Sequence, residues 1–530
     1  MAQHGPHRSD HDDEVHPHCC PCGDESESLA GNDISRRRFL GGAALGGVAL
    51  TGLSWSMLGA TEPEALPSAP PRRALVVKPI FIYSVYTRRE AKSWRQWGGI
   101  ETQSQADEEQ KRIARELDQL EKQADFPVRF LPIAAVQRPE EVAAIDDART
   151  ADVIVVYAAG NRYAGRKDNC FERIVKFGKD TIFFLRHRSG PLYLWYEILS
   201  PRYLRQHTDH LAIDTADFGD VVVDSQDDIL WRLRALCGLR NTVGSRILAI
   251  GGPAGWGHPR VSKLAKERWN LDIRTVSYDA LGKLITEALG DPAAVGRAKR
   301  RAADYLKLPK TTLETKLPFV ENGFLLDEIF RKLMKQADCR AITINKCMSV
   351  IMPLSKTTGC LTLSTLNDDG YLAFCESDFV VIPAGLLLAN IAGKPVFLND
   401  PTYPHDGLIT LAHCTAPRRM DGVNIEPARI VTHFESDYGA APKVDMKIGQ
   451  TVTNVVADFD AQRWLGFSGQ IVDTPFLPIC RSQIEVKFAA DSQTVAERMP
   501  GFHWITAYGD HLQELGYAMK KVPIEWDCLG

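Results

Sequence analysis

A chain of 530 residues is too long for one hydrophobic core, so two or three domains are expected. Its 44% hydrophobic and 25% charged residues are those of a soluble globular protein. A formal charge of −4 leaves no basic footprint, which excludes nucleic acid as a partner.

Residues 1–70 differ from the rest. The stretch "HGPHRSDHDDEVHPHCCPCG" gathers His16, His18, Cys19, Cys20 and Cys22, donor types suited to zinc or copper. Their spacing matches no closed structural zinc site, and the segment reads as a disordered leader. In "DISRRRFLGGAALGGVALTGLSWSMLGA", Ser35-Arg36-Arg37-Arg38-Phe39-Leu40 precedes a Gly/Ala-rich apolar run and resembles a twin-arginine export signal. That resemblance implies the twin-arginine translocase as a partner and a periplasmic or other extracytoplasmic location. The apolar run is also about long enough for an uncleaved membrane anchor, but its glycines make it a poor one.

From "RRALVVKPIFIYSVY" onward, strands alternate with helices. Residues 74–84 read as a buried strand and "QADEEQKRIARELDQLEKQA" as a charged surface helix. "FPVRFLPI", "PEEVAAIDDA" and "ADVIVVYAAG" continue as strand, helix and strand. These form an N-terminal α/β domain over 71–177. A second α/β domain, 178–395, is read from the strands "DTIFFLRH", "GDVVVDS", "SRILAIGG", "DIRTVSY" and "CRAITIN", with helices around "DILWRLRALCGL" and "RVSKLAKERW". The helical tract "DPAAVGRAKRRAADYLK" with "ENGFLLDEIFRKLMKQA" is expected to connect and to pack on the second sheet. Alternation of this kind predicts parallel, doubly wound sheets. Short strands separated by turn residues then predict a β-rich, barrel-like domain over 396–530, closing in a strand, a helix capped by Asp510 and a last strand. The expected fold class is therefore α/β, with two doubly wound parallel-sheet domains followed by a barrel.

Chemistry concentrates after residue 340. "TLSTLNDDGYLAF" reads as two short strands around an Asp369-Gly370 turn. Glu376 follows, ahead of an apolar helix that Ser377 or Asp378 can cap, and Pro383 implies a late start or a kink. "KPVFLND" then carries Asp400 at the end of a buried strand. Glu376 and Asp400 are thus expected to meet at one rim of one sheet. "LITLAHC" supplies His413 and "PGFHWITAYGDH" supplies His503. Two carboxylates with one or two imidazoles suit manganese, iron or cobalt.

"GCLTLSTLNDDGYLAFCESDF", "KPVFLND", "LAHC", "IGQTVTNVVADF", "GFSGQIV" and "FHWITAYGD" together resemble the L-fucose isomerase and L-arabinose isomerase superfamily. The resemblance implies that Glu376, Asp400 and His503 hold a divalent metal, Mn²⁺ or else Fe²⁺ or Co²⁺. His413 matches a position that binds metal in the arabinose branch only. Glu376 and Asp400 become the catalytic pair for aldose–ketose interconversion of an open-chain sugar, with Asp378 and Lys346 holding substrate hydroxyls. A homo-oligomer is implied as well. Three other functions stay open: a metal-dependent epimerase or lyase on a modified sugar, a non-catalytic periplasmic sugar-binding protein, and an NAD-dependent sugar oxidoreductase. The last rests on "ILAIGGPAGWGHP", whose glycines do not space as G-x-G-x-x-G.

Overall fold

The computed structural model describes residues 49–50, 53–58, 66–91, 98–160, 168–194, 218–256 and 258–529. The His/Cys-rich stretch and the paired arginines lie outside them. Among the described residues no helix is long and apolar enough to cross a membrane.

The fold is mixed α/β, with two parallel sheets and a closed six-stranded antiparallel barrel toward the C-terminus. The first sheet contains β1 (Leu75–Ile82), β2 (Val128–Phe130), β3 (Ala134–Val136), β4 (Val153–Ala158), β5 (Asp180–Leu185) and β6 (Val221–Val223), ordered β2-β1-β4-β5-β6 with β3 also on β1. Every pairing in it is parallel. The all-apolar run of β4, buried at each residue, is what a strand covered on both faces requires. The helix Gln103–Gln123 packs on it through Ala106, Ile113, Leu117 and Leu120, and opens on a Thr102–Gln105 capping box.

The second sheet contains β7 (Arg246–Ile250), β8 (Asp272–Val276), β10 (Ala341–Ile344) and β11 (Leu372–Phe374), all parallel in the order β11-β10-β7-β8. The expectation that "DTIFFLRH" opens the second unit is corrected here. Val153 is in register with Asp180 and Phe183 with Val221, so β5 and β6 extend the first sheet. As expected, the helices Pro292–Leu306 and Leu317–Ala337 share a core with Leu248, Ile250, Ile342 and Ile344 of the second sheet.

A second correction concerns "TLSTLNDDG". Residues Cys360–Asp368 form a helix, and only Leu372–Phe374 is a strand. The next helix, Ile382–Ala392, has Pro383 in its first turn, so the late start is what occurs. It has no side-chain cap, contrary to the expected Ser377 or Asp378, and it ends on Gly393 at φ 66°. All of its residues are buried.

The barrel is built from β12 (Phe397–Pro401), β13 (Leu408–His413), β16 (Thr451–Ala457), β17 (Arg463–Asp473), β18 (Ser482–Phe488) and β19 (Trp504–Tyr508), closed by pairing of β16 with β17. A terminal strand β20 (Glu525–Leu529) runs parallel to β17. The segments "ARIVTHFE" and "AAPKV" do not enter the barrel. Their strands β14 (Ala428–Val431) and β15 (Ala441–Val444) join β9 (Thr311–Leu313) in a separate three-stranded sheet. One buried cluster joins Val155 of the first sheet, Phe374 of the second, Leu386 of the Ile382–Ala392 helix and Ile505 of the barrel.

Candidate metal centre

Register in the second sheet sets the stage. Thr343 pairs with Phe374, and Ile344 with Ile250. The turns leaving β7, β10 and β11 therefore emerge on one edge, the carboxyl edge, where parallel sheets gather ligands. Two of these turns join, because Ala254 and Asp378 form a parallel bridge. The backbone N–H of Ala254 donates to the Ser377 carbonyl, and that of Phe379 to the Ala254 carbonyl, both at 3.1 Å.

Glu376 leaves β11 with φ 63° and Ser377 follows with φ 49°. Two consecutive non-glycine residues in the left-handed region cost about 1–3 kcal/mol each. They reverse the chain so that the side chains of Glu376 and Asp378 serve different neighbours. The barrel supplies the opposing groups. Asn399 of β12 pairs with Trp504 of β19, and one further step in that antiparallel register sets Asp400 opposite His503. The two carboxylates thus meet across the junction of sheet and barrel. This corrects the expectation of one rim of one sheet.

His503 is the hub. Its Nε2 lies 3.2 Å from Asp400 Oδ1 and 3.4 Å from Glu376 Oε2, while its Nδ1 lies 2.6 Å from Asp378 Oδ2. Donors in adjacent positions around an octahedral ion with bonds near 2.1 Å sit about 3 Å apart. His503 Nε2 stands at about that spacing from each of the two oxygens, at 3.4 Å from Glu376 Oε2 and 3.2 Å from Asp400 Oδ1. Asp400 Oδ1 is buried with no aligned hydrogen-bond donor, a costly state that a cation relieves. Oxygen and nitrogen donors are the types that manganese, iron or cobalt takes, and among the described residues the group whose donor atoms all lie within 4.8 Å of one another is Cys375, Glu376 and His413. Burial pushes the Glu376 carboxyl up, but hydrogen bonding to His503 and the charges of His503, His413 and His433 outweigh it and bring it down to about 2. Burial lowers the His503 imidazole, and its bonds to Asp378, Asp400 and Glu376 reverse that, holding it well above the ordinary histidine value.

His413 lies on the other side of Glu376. Its Nδ1 accepts the Cys414 backbone N–H at 2.8 Å, which leaves the ring proton on Nε2. That nitrogen is buried without a hydrogen-bond partner, 3.9 Å from Glu376 Oε1. The expected metal ligand His413 belongs, with Cys375 and Glu376, to the group whose donor atoms all lie within 4.8 Å of one another. Burial pushes the Cys375 thiol well above the ordinary value, so it is a poor partner for a hard ion.

Asp378 makes a structural ion pair with His503, 2.6 Å from its Nδ1. It is 1% exposed, and its Oδ1 accepts the backbone N–H of Trp256 at 3.2 Å and of Val380 at 3.0 Å. Its other oxygen holds His503, so the carboxylate is turned to the protein interior. Lys346 is exposed at the end of β10 on the same sheet edge, with φ 47°. Trp256 and Phe502 were not anticipated. Both rings border His503, at centroid distances of 6.3 and 4.8 Å. The signal is one tryptophan among the glycines of "GGPAGWGHP" and one phenylalanine directly before His503 in "PGFHW". In that turn the amides of Gly251, Gly252, Ala254 and Trp256 are already bonded within the protein and are not turned outward to a phosphate.

No family model matches the chain, and no curated protein matches it.

Proposed function

We propose that this chain is a divalent-metal-dependent aldose–ketose isomerase of the L-fucose and L-arabinose isomerase type, acting on an open-chain sugar. The doubly wound arrangement of both parallel sheets belongs to the same reading, as does export through the twin-arginine translocase to the periplasm. The observation that carries it is the convergence of Glu376 Oε2 and Asp400 Oδ1 on His503 Nε2, at 3.4 and 3.2 Å.

Glu376, Asp400 and His503 hold the ion, Mn²⁺ ahead of Fe²⁺ or Co²⁺. When bound, it supplies Lewis acidity at the C1 and C2 oxygens, which lowers the cost of removing the C2 proton. A carboxylate alone is too weak a base for an ordinary carbon acid. Of Glu376 and Asp400, one takes the C2 proton and the other assists transfer between the two oxygens. Glu376, fully ionised at neutral pH, is in the form a base needs. His413 donates its Nε2 proton to a substrate oxygen and so stabilises the developing negative charge. Asp378 fixes the His503 ring and its tautomer, leaving Nε2 directed at the centre.

The test is Mn²⁺-loaded protein in D₂O with a panel of aldopentoses, deoxyaldohexoses and hexuronates. Deuterium is expected at C2 of one aldose or C1 of its ketose, with loss of about 10²-fold or more in Glu376→Gln. A protein that takes up no divalent metal, or a Glu376→Gln variant with full turnover, overturns the reading. Product analysis in the same tubes separates isomerisation from epimerisation and from carbon–carbon cleavage.

A further inference from the structure

Two large aromatic side chains stand exposed beside the most buried imidazole of the centre. Trp256 is 51% exposed and Phe502 38%, whereas His503 is 2% exposed. Rings this apolar are normally covered, and solvated ones clustered at a polar site mark a contact surface for something else. The two rings stack with centroids 4.5 Å apart and planes within 16°. His503 presents its edge to both, at interplanar angles of 80° to Trp256 and 64° to Phe502.

The chain fixes this pair relative to the centre by two independent routes. Phe502 immediately precedes His503 in the approach to β19. Trp256 arrives from the far side, on the turn after β7, and its backbone N–H is held by Asp378 Oδ1 at 3.2 Å. Asp378 also holds the His503 ring. The aromatic pair and the imidazole therefore share one anchor, and the offset between them is set by that carboxylate.

From this geometry we infer that Trp256 and Phe502 form a stacking subsite for the C–H face of the substrate's tail, the carbons beyond C2, and that this subsite selects neutral polyols over anionic ones. The inference rests on the proposed sugar reading of the same centre. An open-chain sugar alternates hydroxyl-rich and C–H-rich faces, and C–H groups pair with the electron-rich face of an aromatic ring. An anionic tail finds the opposite environment. Glu376, Asp378 and Asp400 already concentrate negative charge around His503, and the aromatic contacts of the two rings are with each other and with that ring. A carboxylate or phosphate at the tail thus loses hydration beside three carboxylates.

The probe is an alditol, which is open-chain and carries no carbonyl to react. A panel of stereoisomeric hexitols, with the corresponding hexuronates, is titrated into the full-length protein with diamagnetic Mg²⁺. Saturation-transfer NMR is expected to mark the protons at one end of the best-binding hexitol most strongly. Trp256→Ala is expected to weaken its binding about tenfold and to erase that contrast. Trp256→Phe, which keeps a ring, is expected to stay within about threefold of the parent. Hexuronates are expected to bind at least about tenfold more weakly than hexitols. Even saturation along the chain, unchanged affinity in Trp256→Ala, preferred binding of hexuronates, or no hexitol binding at all overturns the inference. So does a loss of self-association in Trp256→Ala without loss of affinity, which assigns the rings to a contact between copies. Hexitol binding that depends on Trp256, in a protein that exchanges no deuterium into any aldose, sinks the isomerase reading and leaves the subsite standing.

Discussion

His503 has both ring nitrogens directed at carboxylates, with Asp378 on Nδ1 at 2.6 Å and Asp400 and Glu376 facing Nε2. The two sides are not equivalent. Asp378 is 1% exposed and fully hydrogen-bonded, whereas the side chain of Glu376 is 40% exposed. A buried carboxylate behind a ligating imidazole fixes the ring and raises its basicity. Asp378→Asn keeps the shape and removes the charge, so it is expected to weaken Mn²⁺ binding by about 10-fold or more, read by electron paramagnetic resonance titration of free Mn²⁺. Unchanged affinity counts against this role. The sequence placed Glu376, Asp400, His413 and His503 in one group, because carboxylates and imidazoles at the ends of apolar runs need partners, and only the resemblance to the sugar isomerases ranked His413 below the others. It could not tell Asp378 from Glu376. Both sit in "CESDF", and only the left-handed pair at Glu376 and Ser377 sends one outward and the other inward.

The helix Ile382–Ala392 sets the spacing between the sheet and the barrel. A side chain on Gly385 would lie 2.4 Å from the Phe374 ring of β11 and 3.2 Å from Ile505 Cδ1 of β19. Glu376 lies two residues beyond Phe374, and His503 two residues before Ile505. Gly385→Ala is therefore expected to push the two halves of the centre apart. Overpacking of this kind costs about 1–3 kcal/mol. Tm and Mn²⁺ affinity should fall together in calorimetry and metal titration, and a variant that loses only one of them refutes the coupling. The helix Cys360–Asp368 explains where element reading stopped. Its Thr and Ser content and the Asp-Gly pair suggest a hairpin, because hydroxyls compete with helix formation. Here they are satisfied elsewhere: Thr362 donates to the Gly323 carbonyl at 2.8 Å, Ser364 to Ala416 at 2.7 Å and Thr365 to Asp327 Oδ1 at 3.1 Å. Those acceptors come from distant parts of the chain and leave no local trace.

At the scale of the molecule, alternation of strand and helix indicated parallel sheets, but not which sheet takes a given strand. The run "DTIFFL" is equally good on either, and pairing of Val155 with Ile182 decides it. A property of the whole fold follows from two half-buried carboxyls. Burial pushes Asp368 up to about 7 despite the Arg419 and Arg418 backbone N–H groups, and pushes Glu426 up to about 7 despite the Tyr508 hydroxyl. Below the ordinary carboxylate range both groups are protonated, folded or unfolded, and contribute nothing. Between that range and about pH 7 the folded state keeps protons that the unfolded chain has released, so stability falls as pH rises, then levels off. The decline is on the order of 2 kcal/mol for each group between pH 5 and 8, and about twice that for the pair. Asp368→Asn with Glu426→Gln is expected to flatten it in urea unfolding at those two pH values, and an unchanged slope refutes the assignment.

The donor set has no single owner. Glu376 and Asp378 belong to the parallel sheet, while Asp400 and His503 belong to the barrel, and 125 positions separate Asp378 from the imidazole it orients. During synthesis the centre stays incomplete until the segment carrying His503 is in place. On the metal reading proposed above, ion capture is the final act of maturation, and it stitches the earliest part of the centre to the latest.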